Sequence, residues 1–181
     1  MATELSEVPS SRIRIPLWPL LRFSYLHLGR VAPYLGRVLL RLPRRWRHAL
    51  VWEVARGVLR AWHDHDVDTL IAVYHQDAVI DMENWSDWLD RSTYRGAEGV
   101  RQFFADFDAA WTEFSFHPTR QLELSRERYL VEIEFEGTGA SSGIQVRRRF
   151  FQIAEARNGR FTHMANYTDE GDAFEAAGLH R

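Results

Sequence analysis

An α+β fold with an antiparallel sheet is predicted for this chain by three observations. Stretches of helical period fill its first half, four alternating apolar-polar runs fill its second half, and Asn158-Gly159 separates the last two runs. Helices and strands that segregate along a chain in this way stack helices on one face of a sheet. Asn-Gly between two alternating runs is a strong signal for a tight hairpin, because both turn positions need positive φ.

The elements follow in order. Val31, Tyr34, Leu35, Val38, Leu39 and Leu42 fall at i, i+3, i+4, i+7, i+8 and i+11, with arginines toward the other side, which predicts a basic amphipathic helix ending at Pro43. Pro16 and Pro19 around Trp18 argue against a helix before it. The same spacing recurs at Val51, Val54, Ala55, Val58, Leu59 and Trp62, predicting the first helix of the main domain. Asp66 can cap a short second helix carrying Leu70, Ile71 and Tyr74. Asp77 to Met82 reads as a strand and Glu83 to Thr93 as a loop. After Gly96, a third helix gathers Val100, Phe103, Phe104, Phe107 and Trp111 on one aromatic face. Strands are predicted over 114–125, 129–136, 144–156 and 160–168, and Asp169 can cap a last helix that stops at Gly178.

A chain of 181 residues suits one domain with an extension. At 45% apolar and 13% aromatic it has ample core-forming material. With no cysteine, disulfides, thiolate metal sites and cysteine nucleophiles are excluded. The first seven residues carry Glu4 and Glu7 and no base, unlike a signal peptide, and arginines interrupt every apolar run short of a membrane span, so a cytoplasmic protein is expected. The net charge of −2 hides a split, since residues 1–50 hold nine Arg against two Glu and the remainder is net acidic. All 23 basic residues are arginine, which points to a GC-rich coding sequence.

Tyr74-His-Gln-Asp-Ala78 before the first strand and Tyr94-Arg-Gly-Ala-Glu-Gly-Val100 opening the aromatic helix resemble the nuclear transport factor 2-like superfamily. The tail, Asn158-Gly-Arg-Phe-Thr-His-Met-Ala-Asn-Tyr-Thr-Asp169 running into Glu175-Ala-Ala-Gly-Leu179, is similar to the SnoaL-like branch of that superfamily. The resemblance covers residues 51–181. It implies a cone-shaped, curved antiparallel sheet packed by N-terminal helices, a cystatin-like roll, around a deep apolar pocket, and a homodimer. It does not imply one activity, because the superfamily includes isomerases, cyclases, dehydratases, hydrolases and binding proteins.

Laid on ketosteroid isomerase, the family's tyrosine donor falls near Val58, its aspartate base near Met82 and its second aspartate near Arg148, none of which can do that chemistry. The acid/base aspartate of limonene epoxide hydrolase and the SnoaL-like cyclases falls on Asn166, and an amide cannot shuttle a proton near neutral pH. Neither activity is expected. Asp81 and Glu83, at the end of the first strand, are the candidate bases, with Asn166 and Tyr74 as orienting polar groups. Strict alternation turns Asp81 away from Ile80 and Met82, so a solvated carboxylate is the competing reading.

Trp62, Tyr74, Met82, Phe104, Phe107, Trp111 and Met164 are candidates for the pocket wall, with ordinary core packing as the alternative. Trp85 and Trp88, unusual in a loop, are candidates for a lid or for a dimer contact. Asn166 and Met164 are expected to point into the pocket, and Phe161, His163 and Tyr167 away from it. His63 and His65 diverge on a helix and do not make a metal site. Arg147-Arg-Arg149 is read as the partner of Glu132 and Glu134 in a cross-strand charge ladder rather than as a polyanion site.

The leading expectation is a pocket for a small, largely apolar molecule, polyketide- or terpenoid-like, bound or transformed without metal or nucleotide cofactor. The alternative is a dimeric interaction module whose basic arm, residues 12–48, docks to a membrane or an acidic partner; no nucleic acid is expected. For residues 1–50 three readings stand: translated upstream sequence before a start near Val51 or Val54, a docking arm, or a segment packed on its own domain.

Overall fold

The computed structural model describes residues 18–27, 41–82, 89 and 91–179. Helix α1 spans Trp18–His27, α2 Arg44–His63 and α3 Val67–Val73. Strands β1, Tyr74–Asp81, and β2, Thr93–Arg95, precede helix α4, Gly96–Ala110. Four strands follow, β3 Trp111–Ser125, β4 Arg128–Gly139, β5 Gln145–Arg157 and β6 Arg160–Tyr167, and helix α5, Glu170–Ala176, closes the described chain.

The sheet has the order β2-β1-β6-β5-β4-β3. Strands β3 to β6 form the expected antiparallel meander, but β1 joins β6 in parallel, so the sheet is mixed. Several strand bounds differ from expectation: β3 starts at Trp111, a residue expected on the aromatic helix, and β4 runs on to Gly139. Two further differences lie at the other edge of the sheet, where β1 starts at Tyr74 rather than Asp77 and the three-residue β2 emerges at the end of the segment read as loop. Both differences are pairing effects, because β1 is held on one side by β6 and on the other by β2. Asn158 and Gly159 have φ of 55° and 77°, the geometry expected of their turn.

Directly paired residues share a face. The row Gln121, Val131, Gln152 and Asn166 lies on the inner face, as do Tyr129, Ala154 and Met164. The main apolar core lies between this face and helices α1 to α4. On the outer face Leu122, Leu130, Phe151 and Ile153 pack under Ala173 and Ala177 at the α5 end. Where helix does not cover the outer face, charge does. Arg147 bridges Glu134 and Glu136 at 3.2 Å each, and Arg149 reaches Glu132 at 3.2 Å. The ladder is therefore present, but the register differs by two residues from the one that would set Glu134 opposite Arg147 and Glu132 opposite Arg149, the pairing the sequence predicts: Glu134 sits opposite Arg149 and Glu136 opposite Arg147, so two of its bridges are diagonal.

The N-terminal part departs most from expectation. Helix α1 forms despite its proline, because Pro19 occupies the first turn, where a backbone N–H has no intrahelical acceptor. Helix α2 begins at Arg44, so the boundary expected at Val51 falls inside a helix. Packing on its own domain is what the described part of the extension does. Trp18 is buried against Gly57 of α2, where any Cβ would overlap its indole. Arg22 donates to Asp66 Oδ2 at 2.9 and 2.7 Å and to the Thr69 hydroxyl at 3.0 Å. Burial opposes ionisation of Asp66, but Thr69 and Arg22 outweigh it and hold the carboxyl below its usual range. The Tyr25 hydroxyl donates to the Gly159 carbonyl at 2.6 Å, and the buried Arg47 and the half-buried His48 both meet Glu123 of β3. The basic helix expected over Val31 to Leu42 falls almost wholly outside the described residues.

Three outcomes follow from this packing. Trp18→Ala should cost ~3 kcal/mol, the usual loss for a buried large side chain, and lower Tm by on the order of 10 °C. Gly57→Ala should cost as much by ejecting Trp18, yet the double variant should be little worse than Trp18→Ala, which a thermal-denaturation cycle measures. Expressed alone, residues 51–181 should melt well below the full chain, since they lose Trp18, Tyr25, Arg47 and Leu50 together; equal melting would show that α1 is not part of the core.

Burial, slightly offset by Arg160, pushes the Tyr25 phenol up to about 12, and burial and Glu123 do the same for Tyr129. The unfolded phenols ionise near 10, so from about pH 10 the unfolded chain sheds protons that the folded chain keeps. Stability is full below pH 10 and falls between pH 10 and 12. Tyr25→Phe should make that fall shallower in pH-dependent urea denaturation.

Candidate functional site

The inner face of the sheet and helices α1 and α2 enclose a cavity of about 150 Å³. Helix α2 supplies Val51, Val54, Ala55 and Val58, α1 adds Leu21 and Tyr25 above them, and the sheet supplies Tyr129, Val131, Ala154 and Met164 below. Space remains because the residues facing each other here are small. Ala55 and Val58 look across at Ala154 and Ala156, while one helical turn further on Trp62 fills the same interval with an indole. Beyond that point a smaller void of about 20 Å³ shares Leu59, Ile133, Gln152 and Met164 with the main cavity and ends at Met82 and Asn166. An open groove of about 620 Å³ also runs along α1 past Trp18 and Phe23, but it is a surface feature without a sheet floor.

The polar groups inside are few and neutral. The Tyr74 hydroxyl donates to the Met164 sulfur at 3.4 Å, and complete burial pushes that phenol far above its usual value. Asn166 is buried; its Nδ2 donates to the Asp81 carbonyl at 3.3 Å and lies 3.2 Å from the Met82 sulfur. Gln152 Nε2 donates to Asn166 Oδ1 at 3.0 Å. Charge is confined to one end, where Arg47, Arg126 and Glu127 line the cavity. Glu127, the one carboxylate among the lining residues, accepts from the Asn158 N–H at 3.2 Å.

Of the residues singled out from the sequence, Trp62, Tyr74, Met82, Met164 and Asn166 line the cavity or its inner void. Phe104, Phe107 and Trp111 line neither. Their rings are held in the aromatic core, Phe104 and Phe107 at 4.9 and 4.8 Å from Trp62 and Trp111 at 4.9 Å from Phe135. Asp81 contributes its backbone carbonyl to the site, and its side chain is not among the lining groups, in keeping with alternation past the buried Ile80 and Met82. Glu83, Trp85 and Trp88 lie outside the described residues. Phe161 corrects the expected alternation: a register shift between Glu155 and Ala156 puts it on the cavity side with Met164, while Tyr167 packs in the outer core.

Sequence reasoning missed Gln152. Its signal is a single amide in the apolar run Phe150-Phe-Gln-Ile-Ala154, on the inner face of a central strand. Among the described residues no group of three or more His, Cys, Asp or Glu could hold a metal ion, and His65 instead pairs with Asp108 at 3.0 Å. No helix of the described residues is long and apolar enough to cross a membrane.

No curated protein matches the sequence. Solved structures share the fold at low identity. A nuclear transport factor 2-like protein of unknown function from Burkholderia pseudomallei has a TM-score of 0.58 at 20% identity, covering 68% of this chain and 94% of that one. The epoxide hydrolase/cyclase-like enzyme SalBIII of pyran ring formation in salinomycin gives 0.52 at 17% identity, covering 66% and 91%. A Mycobacterium tuberculosis protein in complex with estradiol-17β-hemisuccinate gives 0.52 at 18%, covering 65% and 92%. The cavity thus sits inside a nuclear transport factor 2-like fold, and because residues 55–164, more than half of the chain, match the SnoaL-like domain, the protein belongs to the SnoaL-like family.

Proposed function

We propose that the protein binds a small, largely apolar organic molecule in the cavity between α1, α2 and the inner face of the sheet. The observation that carries this reading is an unfilled space of about 150 Å³ with apolar walls, a few neutral polar groups and charge at one end only. An apolar cavity of this size in another protein stays dry and takes up benzene. The volume suits one ring or a compact terpenoid-sized skeleton rather than a steroid. Similar folds supply consistent precedent, one in a cyclase-like enzyme and one holding an estradiol derivative.

Binding is better supported than turnover. Proton transfer needs a group that titrates near the working pH, and the deep end of the cavity offers two amides and a phenol pushed far from neutrality. A catalytic role would have to draw on Glu127 at the charged end of the cavity, or on Asp81 or Glu83, the bases expected from the sequence. A docking arm is a second reading, favoured by the exposed Leu20, Phe23 and Trp46. It requires the full chain to sediment with anionic vesicles and the chain lacking residues 1–43 not to.

Saturating toluene should raise the Tm of the full chain by mass action and shift the Met164 methyl resonance. Ala154→Leu, which fills the wall opposite α2, should keep or raise Tm in the absence of ligand and suppress both responses. The pocket reading fails if toluene leaves the full chain unchanged, or if Ala154→Leu leaves the response intact.

A further inference from the structure

The inner end of the cavity is a chain of two amides whose orientation is dictated from the backbone. Asn166 faces the Asp81 carbonyl at 3.3 Å and the Met82 sulfur at 3.2 Å, and both of these accept only. The Asn166 side chain must therefore turn its NH₂ toward them, which leaves Oδ1 toward Gln152. That oxygen needs a donor, so Gln152 must present Nε2 to it at 3.0 Å. The direction of the second amide is then fixed as well. Gln152 Oε1 has no hydrogen-bond partner among the described residues, and the Gln152 side chain lines both the main cavity and its inner void.

A free amide oxygen in an apolar enclosure is a costly group to leave unpaired, and its natural partner is an O–H or N–H. No described side chain makes that hydrogen bond: the buried Trp62 Nε1–H lines the same void, but it is not bonded to Oε1 and has no partner of its own. Tyr74 already donates to Met164, and Leu59, Ile133 and Phe150 have no donor. The Gln152 amide carries a second N–H besides the one given to Asn166, so a hydroxyl, which can both donate and accept, fits this end of the cavity best.

We infer that the ligand is a one-ring, otherwise apolar alcohol or phenol whose hydroxyl is held by Gln152, with Asn166 and the Asp81 carbonyl as the groups that position it. This rests on the pocket reading above and specifies its ligand. An oxygen that only accepts, as in an ether, leaves Oε1 unpaired and is selected against. The same holds for a plain hydrocarbon.

The test compares pairs of equal size on the full chain by calorimetry, with the Met164 methyl resonance reporting the place of binding. The first pair is 4-methylphenol and p-xylene, and the second is 4-methylanisole and 4-ethyltoluene. Wild-type protein should bind 4-methylphenol at least as tightly as p-xylene, despite the phenol's stronger hydration, whereas 4-methylanisole should gain no such advantage over 4-ethyltoluene. In Gln152→Leu the ratio of the first pair should move toward p-xylene by about tenfold or more, with p-xylene binding retained as the sign of an intact cavity. Should that variant fail to fold, the two pairs on wild-type protein decide alone. The inference is overturned if p-xylene binds wild type about tenfold tighter than 4-methylphenol, if methylation of the hydroxyl costs nothing, or if Gln152→Leu keeps the wild-type ratio. Failure of all four compounds to bind would instead remove the pocket reading itself.

Discussion

Trp62 stands where α2, α4 and β3 converge, with its indole 4.6 to 5.4 Å from the rings of Phe103, Phe104, Phe107 and Phe116. Edge-to-face packing of rings at these separations is favourable and stiff. It fixes the distance between α2 and the sheet at one end of the helix. Toward the other end α2 carries valines and an alanine over alanines of β5, and a rigid helix cannot bend down to close the gap. The cavity is the consequence. A large residue at one point of contact and small ones along the rest leave a wedge of space, and the depth of that wedge is set by an aromatic cluster outside it.

A sheet with two buried faces needs two covers, and here they differ in kind. The inner face carries the large aromatic core and the cavity. The outer face is covered at one end by the short α5, anchored through Asp169 to the Asp172 N–H at 3.0 Å and through Arg120, which bridges Glu170 and Glu132 at 2.8 and 2.9 Å. Its remainder is a field of alternating acid and base. Arg147 and Arg149 are consumed there, which accounts for a basic run in an acidic domain without a polyanionic ligand. Exposed pairs of this sort contribute little each, but together they match β4 to β5.

Helix α1 lies outside the residues matched to the family, yet it completes the roof of the cavity with Leu21 and Tyr25. Its hold is directional: an ion pair to the cap of α3, a phenol to the β5–β6 turn and an indole seated on Gly57. A roof attached at few points and made from a separate segment is the part of such a site most easily opened. The chemistry below it is that of amides, thioethers and hydrocarbon, suited to holding a neutral molecule in a water-poor space. Charge stays at the end where Arg47, Arg126 and Glu127 sit.

Much of this was legible in the sequence, because periodicity and capping are local. The α+β class, the meander, the caps at Asp66 and Asp169, the Asn158-Gly159 turn and the charge ladder each follow from residues within a few positions of one another or from adjacent strands. The candidate site was legible in half. Trp62, Tyr74 and Met82 could be placed on the inner side by period, and Asn166, with Met164 two residues before it, by the family resemblance of the last strand. Period cannot say how far apart two faces stand, however, so Phe104, Phe107 and Trp111 could not be told from wall residues. One extra residue in β6 inverted the expected side of Phe161. The parallel pairing of β1 with β6, the docking of α1 on Gly57 and the alignment of Asp81, Asn166 and Gln152 join residues 14 to 87 positions apart in the chain. Such contacts exist only once the strands have paired and the helices have settled on them, and it was the tertiary structure that decided them.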